Sequence, residues 1–237
     1  MTTATSGPGW PDGPMLALDL ETTGIDPESA RIVSAAAVSI GVSSSPPACT
    51  WLVNPGIEIP AEATAVHGIT TDQAATDGRP AAEVVPEITA ELGRALSAGW
   101  PLVVFRAPYA LTVLAREAAR HGVDLPAEVA PVIDPAVLDR HVDRNRRGRR
   151  TLPALCEHYQ VRHDGPNQAI EDALAAARLA WRLPRAHPHL AALDLATLHT
   201  QQQAWAAEQA HGLQQHLRRT DSTATVHPAW PLIPTTT

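Results

Sequence analysis

The sequence predicts an α/β fold in which a five-stranded mixed sheet is flanked by helices and followed by a C-terminal helical extension. Three observations carry that prediction. MLALDL (15–20), RIVSAAAVSI (31–40) and TWLVNP (50–55) are apolar runs of strand length, separated by turn-rich segments. From about Ala81 onward apolar residues recur at helical spacing, interrupted by the shorter strand-like runs PLVVF (101–105) and VID (132–134). Consecutive strands followed by helices alternating with strands are the order of a layered domain with a mixed sheet.

In chain order, residues 1–13 are rich in Gly, Pro and Thr and are expected to form a flexible N-terminal arm. Residues 14–185 hold the main domain, and residues 186–237 a C-terminal helix and irregular tail. Val84, Val85, Ile88 and Leu92 mark the buried face of the first long helix. ALTVLAREAARHG (110–122) reads as a helix closed by its final Gly. TLPALCEHY (151–159) reads as a helix with Thr151 as N-cap and Pro153 in its first turn. AIEDALAAARLAWRL (169–183) is a strongly periodic helix that Pro184 should end. Residues 190–219 form a Gln-rich helix whose expected buried stripe is Leu198, Trp205, Leu213 and Leu217, and HPAWPLIPTTT (227–237) is irregular.

The bulk properties set limits. A chain of 237 residues with 44% hydrophobic and 18% charged residues belongs to the soluble globular class and can bury one good core. Its net charge of −7 argues against wholesale coating of nucleic acid, while leaving room for a local basic groove. Every one of its 18 basic residues is Arg. Cys49 and Cys156 have neither CxxC nor metal-ligand spacing, which suggests a reduced, cytoplasmic protein. The opening MTTATSGPGWPDGP lacks the positive start and apolar core of a signal peptide. No apolar run approaches the roughly 20 residues of a membrane span.

One stretch invites chemistry. LALDLETTG (16–24) places two carboxylates near the end of an apolar strand. Alternation directs Asp19 and Glu21 to one face and Leu18 and Leu20 to the other. Adjacent like charges resist desolvation unless a positive group sits between them, and a divalent cation with oxygen ligands would serve. An acidic pair on a solvated strand end ahead of a Thr-Thr-Gly turn is the other reading of the same residues.

Set beside the mid-chain strand–turn–helix and a late helix carrying Asp172, this D-x-E resembles the first motif of the DnaQ-like 3′–5′ exonucleases of DEDDh type. The resemblance covers roughly residues 14–185. It includes ATAVHGIT (63–70) after the third strand, VIDPAVLDR (132–140), and TLPALCEHYQV (151–161) before the last motif. It implies an RNase-H-like fold and two-metal phosphodiester hydrolysis, in which cations about 4 Å apart activate a water and stabilise the leaving oxygen. Residue by residue, it assigns catalytic and metal-binding roles to Asp19, Glu21 and Asp172. It assigns substrate contacts to Thr22, Thr23, His67 and Tyr109. The partners it implies are nucleic-acid 3′ ends or nucleotides.

The same comparison exposes departures. Where the family reads N-A-x-F-D, this chain reads Arg106-Ala107-Pro108-Tyr109-Ala110, so the third carboxylate is a methyl group and the usual Asn is Arg. The family's base falls on Asn167 in one branch and Gln168 in another, and neither amide takes a proton at neutral pH. These positions imply a single Mg²⁺ or Mn²⁺ site, a doubtful second site, and weak or lost catalysis. Arg106 is expected to place its guanidinium beside Asp19, in partial substitution for the missing charge. Two alternatives stay open: an active exonuclease with another base, for which His163 in the loop before Asn167 is a candidate despite reading as a surface histidine, and a non-catalytic scaffold. RHVDRNRRGRR (140–150) carries six arginines and is the best sequence candidate for phosphate contact, against a plain solvated linker. The C-terminal helix is a candidate contact for a protein partner.

Overall fold

The computed structural model describes residues 9–42, 48–165 and 167–235. Strands β1 (Met15–Thr22), β2 (Ile32–Ile40) and β3 (Ala48–Asn54) form an antiparallel meander. Helices α1 (Ala61–His67) and α2 (Thr71–Asp77) follow, and then a two-residue strand β4 (Arg79–Pro80) leads into α3 (Ala81–Ser97). Next come β5 (Leu102–Val103), α4 (Ala107–Arg120), β6 (Val132–Ile133), α5 (Pro135–Val142), α6 (Leu152–Tyr159) and α7 (Ala169–Ala186). The short α8 (Pro188–Ala191) and the long α9 (Leu195–Leu217) complete the order. The sheet runs β4-β3-β2-β1-β5-β6, with β5 parallel to both β1 and β6. The five expected strands are all present. The sixth, β4, pairs parallel with β3 through Arg79 and Pro80, too short and polar to show as a periodic run.

Alternation along β1 divides the core. Leu16, Leu18 and Leu20 pack with Val84, Val85, Ile88, Leu111 and Leu114 of α3 and α4 on one face. Met15 and Ala17 face the other way, into a cluster with Leu155 of α6 and Ala173, Ala176, Leu179 and Ala180 of α7. Small alanines along the buried stripe of α7 let that helix lie close against β1, and its approach fixes where Asp172 falls relative to the strand.

Several expectations change in detail. Residues 9–13 are not a loose arm: Trp10–Asp12 form a 3₁₀ turn, Trp10 is buried, and its indole N–H donates to the Leu190 carbonyl. The rest of the expected arm, residues 1–8, lies outside the described residues. Helix α4 starts at Ala107 and closes as read, with Gly122 at φ +65° and the Val123 N–H donating to the Ala118 carbonyl. Thr151 occupies the N-cap position of α6, but its side chain makes no capping bond. Pro184 does not end α7, which continues to Ala186. A proline there forfeits one backbone bond near the C-terminus of the helix, and the burial of Leu183 and Pro184 against the core holds the last turn.

The C-terminal extension is built into the domain. Of its expected stripe, Leu198 is buried and Trp205 half-buried against His141, but Leu213 and Leu217 are 40% and 38% exposed. The buried polar residue is Gln202. Its amide accepts from the Asp134 N–H at 2.8 Å and donates to the Val132 carbonyl at 2.9 Å. Beside it His199 Nδ1 accepts from the Val132 N–H. Two side chains of α9 thus satisfy the free edge of β6, which would otherwise present unpaired backbone groups. The tail packs as well: Trp230 is buried, and the Ile233 N–H donates to Thr112 Oγ1 at 2.9 Å. Among the described residues no helix is long and apolar enough to cross a membrane.

Candidate active site

The period-two pattern that buries Leu18 and Leu20 under α3 and α4 turns Asp19 and Glu21 toward α7. Asp172, in the first turn of α7, completes the group: one carboxylate oxygen from each of Asp19, Glu21 and Asp172 lies within 4.8 Å of the others. The electrostatics reflect the crowding. Burial, then Asp172, then Glu21 push the Asp19 carboxyl well above the usual carboxylate range. Burial and Asp172 push Glu21 up to about 7. Burial raises Asp172 too, while its bond with His163 pulls the other way. Three half-buried carboxylates that raise one another's affinity for protons, and that offer only hard oxygen donors, fit a Mg²⁺- or Mn²⁺-class cation.

His163 is the main correction to the sequence reading. Its side chain is only 6% exposed, and Nε2 lies 2.6 Å from Asp172 Oδ1. The loop reaches this position because the Arg162 carbonyl accepts from Arg178 Nη1 on α7 and because Arg162 and Asp164 pair beside it. Nothing in the spacing of His163 to Asp172 announced the contact; it depends on how the loop folds back over α7. Asn167 lies at the same rim, at φ +63°, with its N–H 3.3 Å from Asp172 Oδ2. Gln168 is the N-cap residue of α7.

The expected substrate contacts divide. Thr22 Oγ1 and the Tyr109 hydroxyl bond to each other, and both reach the Gly24 carbonyl, so Tyr109 clamps the turn after Glu21. Thr23 is buried and exchanges bonds with Arg31: its N–H donates to the Arg31 carbonyl, and its Oγ1 accepts from the Arg31 N–H. His67 Nδ1 accepts from the Ile69 N–H, while Nε2 is buried without a hydrogen bond of ordinary geometry. His67, Glu21, Trp51, Asn167 and Ile170 line a cleft of about 380 Å³ that opens beside the acidic group.

The degenerate positions are equally definite. Ala110 is buried in the first turn of α4 and packs in the apolar core. Arg106 does not pair with Asp19. It is exposed, its guanidinium lies 5.8 Å from the Phe105 ring centre, and among the described residues it forms no ion pair. The cause is its backbone, a left-handed N-cap (φ +56°) held by the N–H groups of Arg106 and Ala107 donating to buried Asp134. Half of the arginines in the arginine-rich segment are committed to ion pairs. Arg146 and Arg150 pair with buried Asp139, and Arg144 pairs with Glu208 of α9.

Comparison with known proteins agrees with this geometry. The sequence profile of the Exonuclease family (RNase_T) matches residues 16–180. The chain belongs to this exonuclease family. It is 35% identical over 173 residues to a DNA polymerase III subunit epsilon-like protein of Rhodobacter capsulatus, an alignment covering 70% of this chain and 23% of that protein. The chain therefore spans less than a quarter of that relative's length. Its fold is similar to E. coli exonuclease I in complex with a dT13 oligonucleotide, at 17% identity and TM-score 0.61, over 75% of this chain and 43% of the other. It is also similar to the nuclease domain of 3′hExo, a DEDDh family member, bound to rAMP. There the identity is 17% and the TM-score 0.59, over 73% of this chain and 92% of the other. The exonuclease domain thus has a DnaQ-like, RNase-H-like fold carrying a three-carboxylate cluster where its first and last motifs meet.

Proposed function

We propose that this exonuclease-family domain binds the 3′ ends of nucleic-acid strands at one divalent cation held by Asp19, Glu21 and Asp172, and that it hydrolyses the terminal phosphodiester slowly, with His163 as base. The observation that carries this reading is the closed group of three carboxylates with His163 bonded to one of them, in a chain that has alanine at the sequence position of the family's remaining carboxylate. Relatives of similar fold have been captured with dT13 and with rAMP, which supports a strand end as the ligand.

When bound, a Mg²⁺ or Mn²⁺ ion supplies Lewis-acid polarisation of the phosphate and a water of lowered pKa. The protein's own residues do the rest. Asp172 fixes His163 at Nε2, so the tautomer that donates to Asp172 leaves the Nδ1 lone pair as the proton acceptor. That is the arrangement in which a carboxylate orients an imidazole base. Asn167 and Gln168, at the family's base positions, can only donate or accept hydrogen bonds. Tyr109 and Thr22 keep the turn after Glu21 in one conformation, which fixes the face on which a terminal sugar would lie.

The test is digestion of 3′-end-labelled single-stranded DNA and RNA with Mg²⁺ or Mn²⁺, using wild type, Asp19→Ala and His163→Gln. The wild type is expected to release mononucleotides slowly, Asp19→Ala to be inert, and His163→Gln to lose about 10² to 10⁴ in rate, the usual range for a base. Equal rates in wild type and His163→Gln would remove the histidine from the mechanism. An inert wild type that still binds 3′ ends would reduce the domain to a binding module, and failure to bind as well would leave a scaffold.

A further inference from the structure

A cavity of about 580 Å³ lies outside the acidic site, between α5, α9 and the C-terminal tail. Its cationic lining is Arg106, Arg140 and Arg150, and its apolar lining includes Tyr109, Leu213 and Trp230. Arg150 is committed to Asp139. Among the described residues neither Arg106 nor Arg140 forms an ion pair, and the one carboxylate in the wall, Asp134, is buried and already accepts from Arg106, Ala107 and Ala136 N–H groups and the Trp230 indole. Arg140 is half-buried and carries the consequence: burial first, then the charge of Arg150, depress its basicity, with Asp139 opposing and Arg106 adding to the effect.

Arginines lining a roomy cavity without a free carboxylate are the opposite of the acidic cluster on β1, and they call for an anion. Position says which anion. Tyr109 lines this cavity, and its hydroxyl binds Thr22 and Gly24 in the turn just after Glu21. Ile25 in the same turn is 96% exposed and also faces the cavity. The cavity therefore borders the turn that follows the strand end carrying the carboxylates. A polyanion of regularly spaced phosphates with flat apolar groups between them matches guanidiniums set among Tyr109, Ile25 and Leu213.

We propose that Arg106 and Arg140 bind backbone phosphates of a single-stranded nucleic acid, upstream of the 3′ end, in this cavity. The inference rests on the nucleic-acid reading of the acidic site, but it assigns a second, cation-independent contact to residues that the carboxylate cluster does not involve. The ligand it selects is an oligonucleotide of several residues rather than a mononucleotide or dinucleotide.

The test is fluorescence anisotropy of 5′-fluorescein dT12 and dT2 in EDTA over a series of salt concentrations. Proteins are the wild type, Asp19→Ala, the double variants Arg106→Ala/Arg140→Ala and Arg106→Lys/Arg140→Lys, and Arg144→Ala as a surface control, each checked by circular dichroism. The wild type and Asp19→Ala should bind dT12 alike and dT2 much more weakly. The double alanine variant should bind dT12 at least about tenfold more weakly, and its dependence of log K on log salt should be shallower by about 1.4, or about 0.7 for each phosphate contact to a single strand. The double lysine variant should keep most of that dependence, and Arg144→Ala should resemble the wild type. Unchanged affinity and slope in a folded double alanine variant would overturn the proposal. So would equal binding of poly-glutamate of the same length, which would assign the cavity to an acidic protein. Loss of binding in the double alanine variant of a protein that never cleaves would uphold this site and defeat only the hydrolytic reading above.

Discussion

Arg106 joins the two halves of the site's chemistry in one residue. Its φ of +56° is a conformation that costs a side chain with a Cβ roughly 1–2 kcal/mol and that Asn tolerates far better. The N–H groups of Arg106 and Ala107 on buried Asp134 impose that backbone, so the strain is built into the junction of β5 and α4. Arg106→Asn is therefore expected to stabilise the domain by about 0.5–1 kcal/mol, read as a higher urea midpoint with an unchanged m-value. The same variant should bind single-stranded dT12 more weakly if the guanidinium serves phosphate. A strained residue retained for binding gains stability and loses affinity together when it is relieved. A lower midpoint would show that its stacking on Phe105 outweighs the backbone strain. The sequence exposed the substitution at this position but misplaced its target. Nothing in an R-A-P-Y-A string reveals a left-handed residue, and only that backbone explains why the guanidinium points away from Asp19.

At the scale of elements, long periodic segments were legible and polar contacts between elements were not. The alternation in LALDLET puts Asp19 and Glu21 on one face, the family resemblance adds Asp172, and the apolar stripes of strand and helix pack so that the three meet. His163 and Gln202 could not be read in that way, since each acts through a polar contact made only once the chain has folded back on itself. Gln202 is the clearer case. Nothing singles it out within its Gln-rich run, yet it is fully buried and supplies an amide that stands in for a neighbouring strand along β6. Gln202→Ala would leave a buried N–H and a buried C=O unpaired, at about 1–3 kcal/mol each for ungrouped cases. Water entering the vacated space would lower that, so the expected loss is about 2–3 kcal/mol, measured by chemical denaturation. Gln202→Glu should be at least as harmful, because it keeps the acceptor for Asp134 but loses the donor to Val132 and adds a buried charge. A loss below about 0.5 kcal/mol in Gln202→Ala would mean that α9 is not needed to cover the sheet edge.

For the whole molecule, the acidic cluster sets how stability changes with pH, and it does so with opposite signs with and without a cation. In the metal-free protein Asp19, Glu21 and Asp172 all hold protons more tightly than they would in the unfolded chain, Glu21 up to about 7. A carboxyl whose folded pKa is raised contributes stability that is complete below the unfolded value and is lost as pH rises through the folded one. Thermal stability in EDTA should therefore fall between about pH 5 and about pH 8. His163, the basic group that touches this cluster, moderates the repulsion on Asp172 alone, leaving Glu21 and Asp19 to carry the trend. With Mn²⁺ the carboxylates must be ionised to bind, so affinity rises as protons leave, and at a hundred times its Kd the ion would add about 2.7 kcal/mol. The melting curves with and without Mn²⁺ should thus converge at low pH and separate as pH rises. Glu21→Gln removes one titrating ligand, which should both flatten the decline in EDTA and narrow the separation in Mn²⁺. Parallel curves across the whole pH range, identical in wild type and Glu21→Gln, would show that these carboxylates neither titrate together nor share an ion.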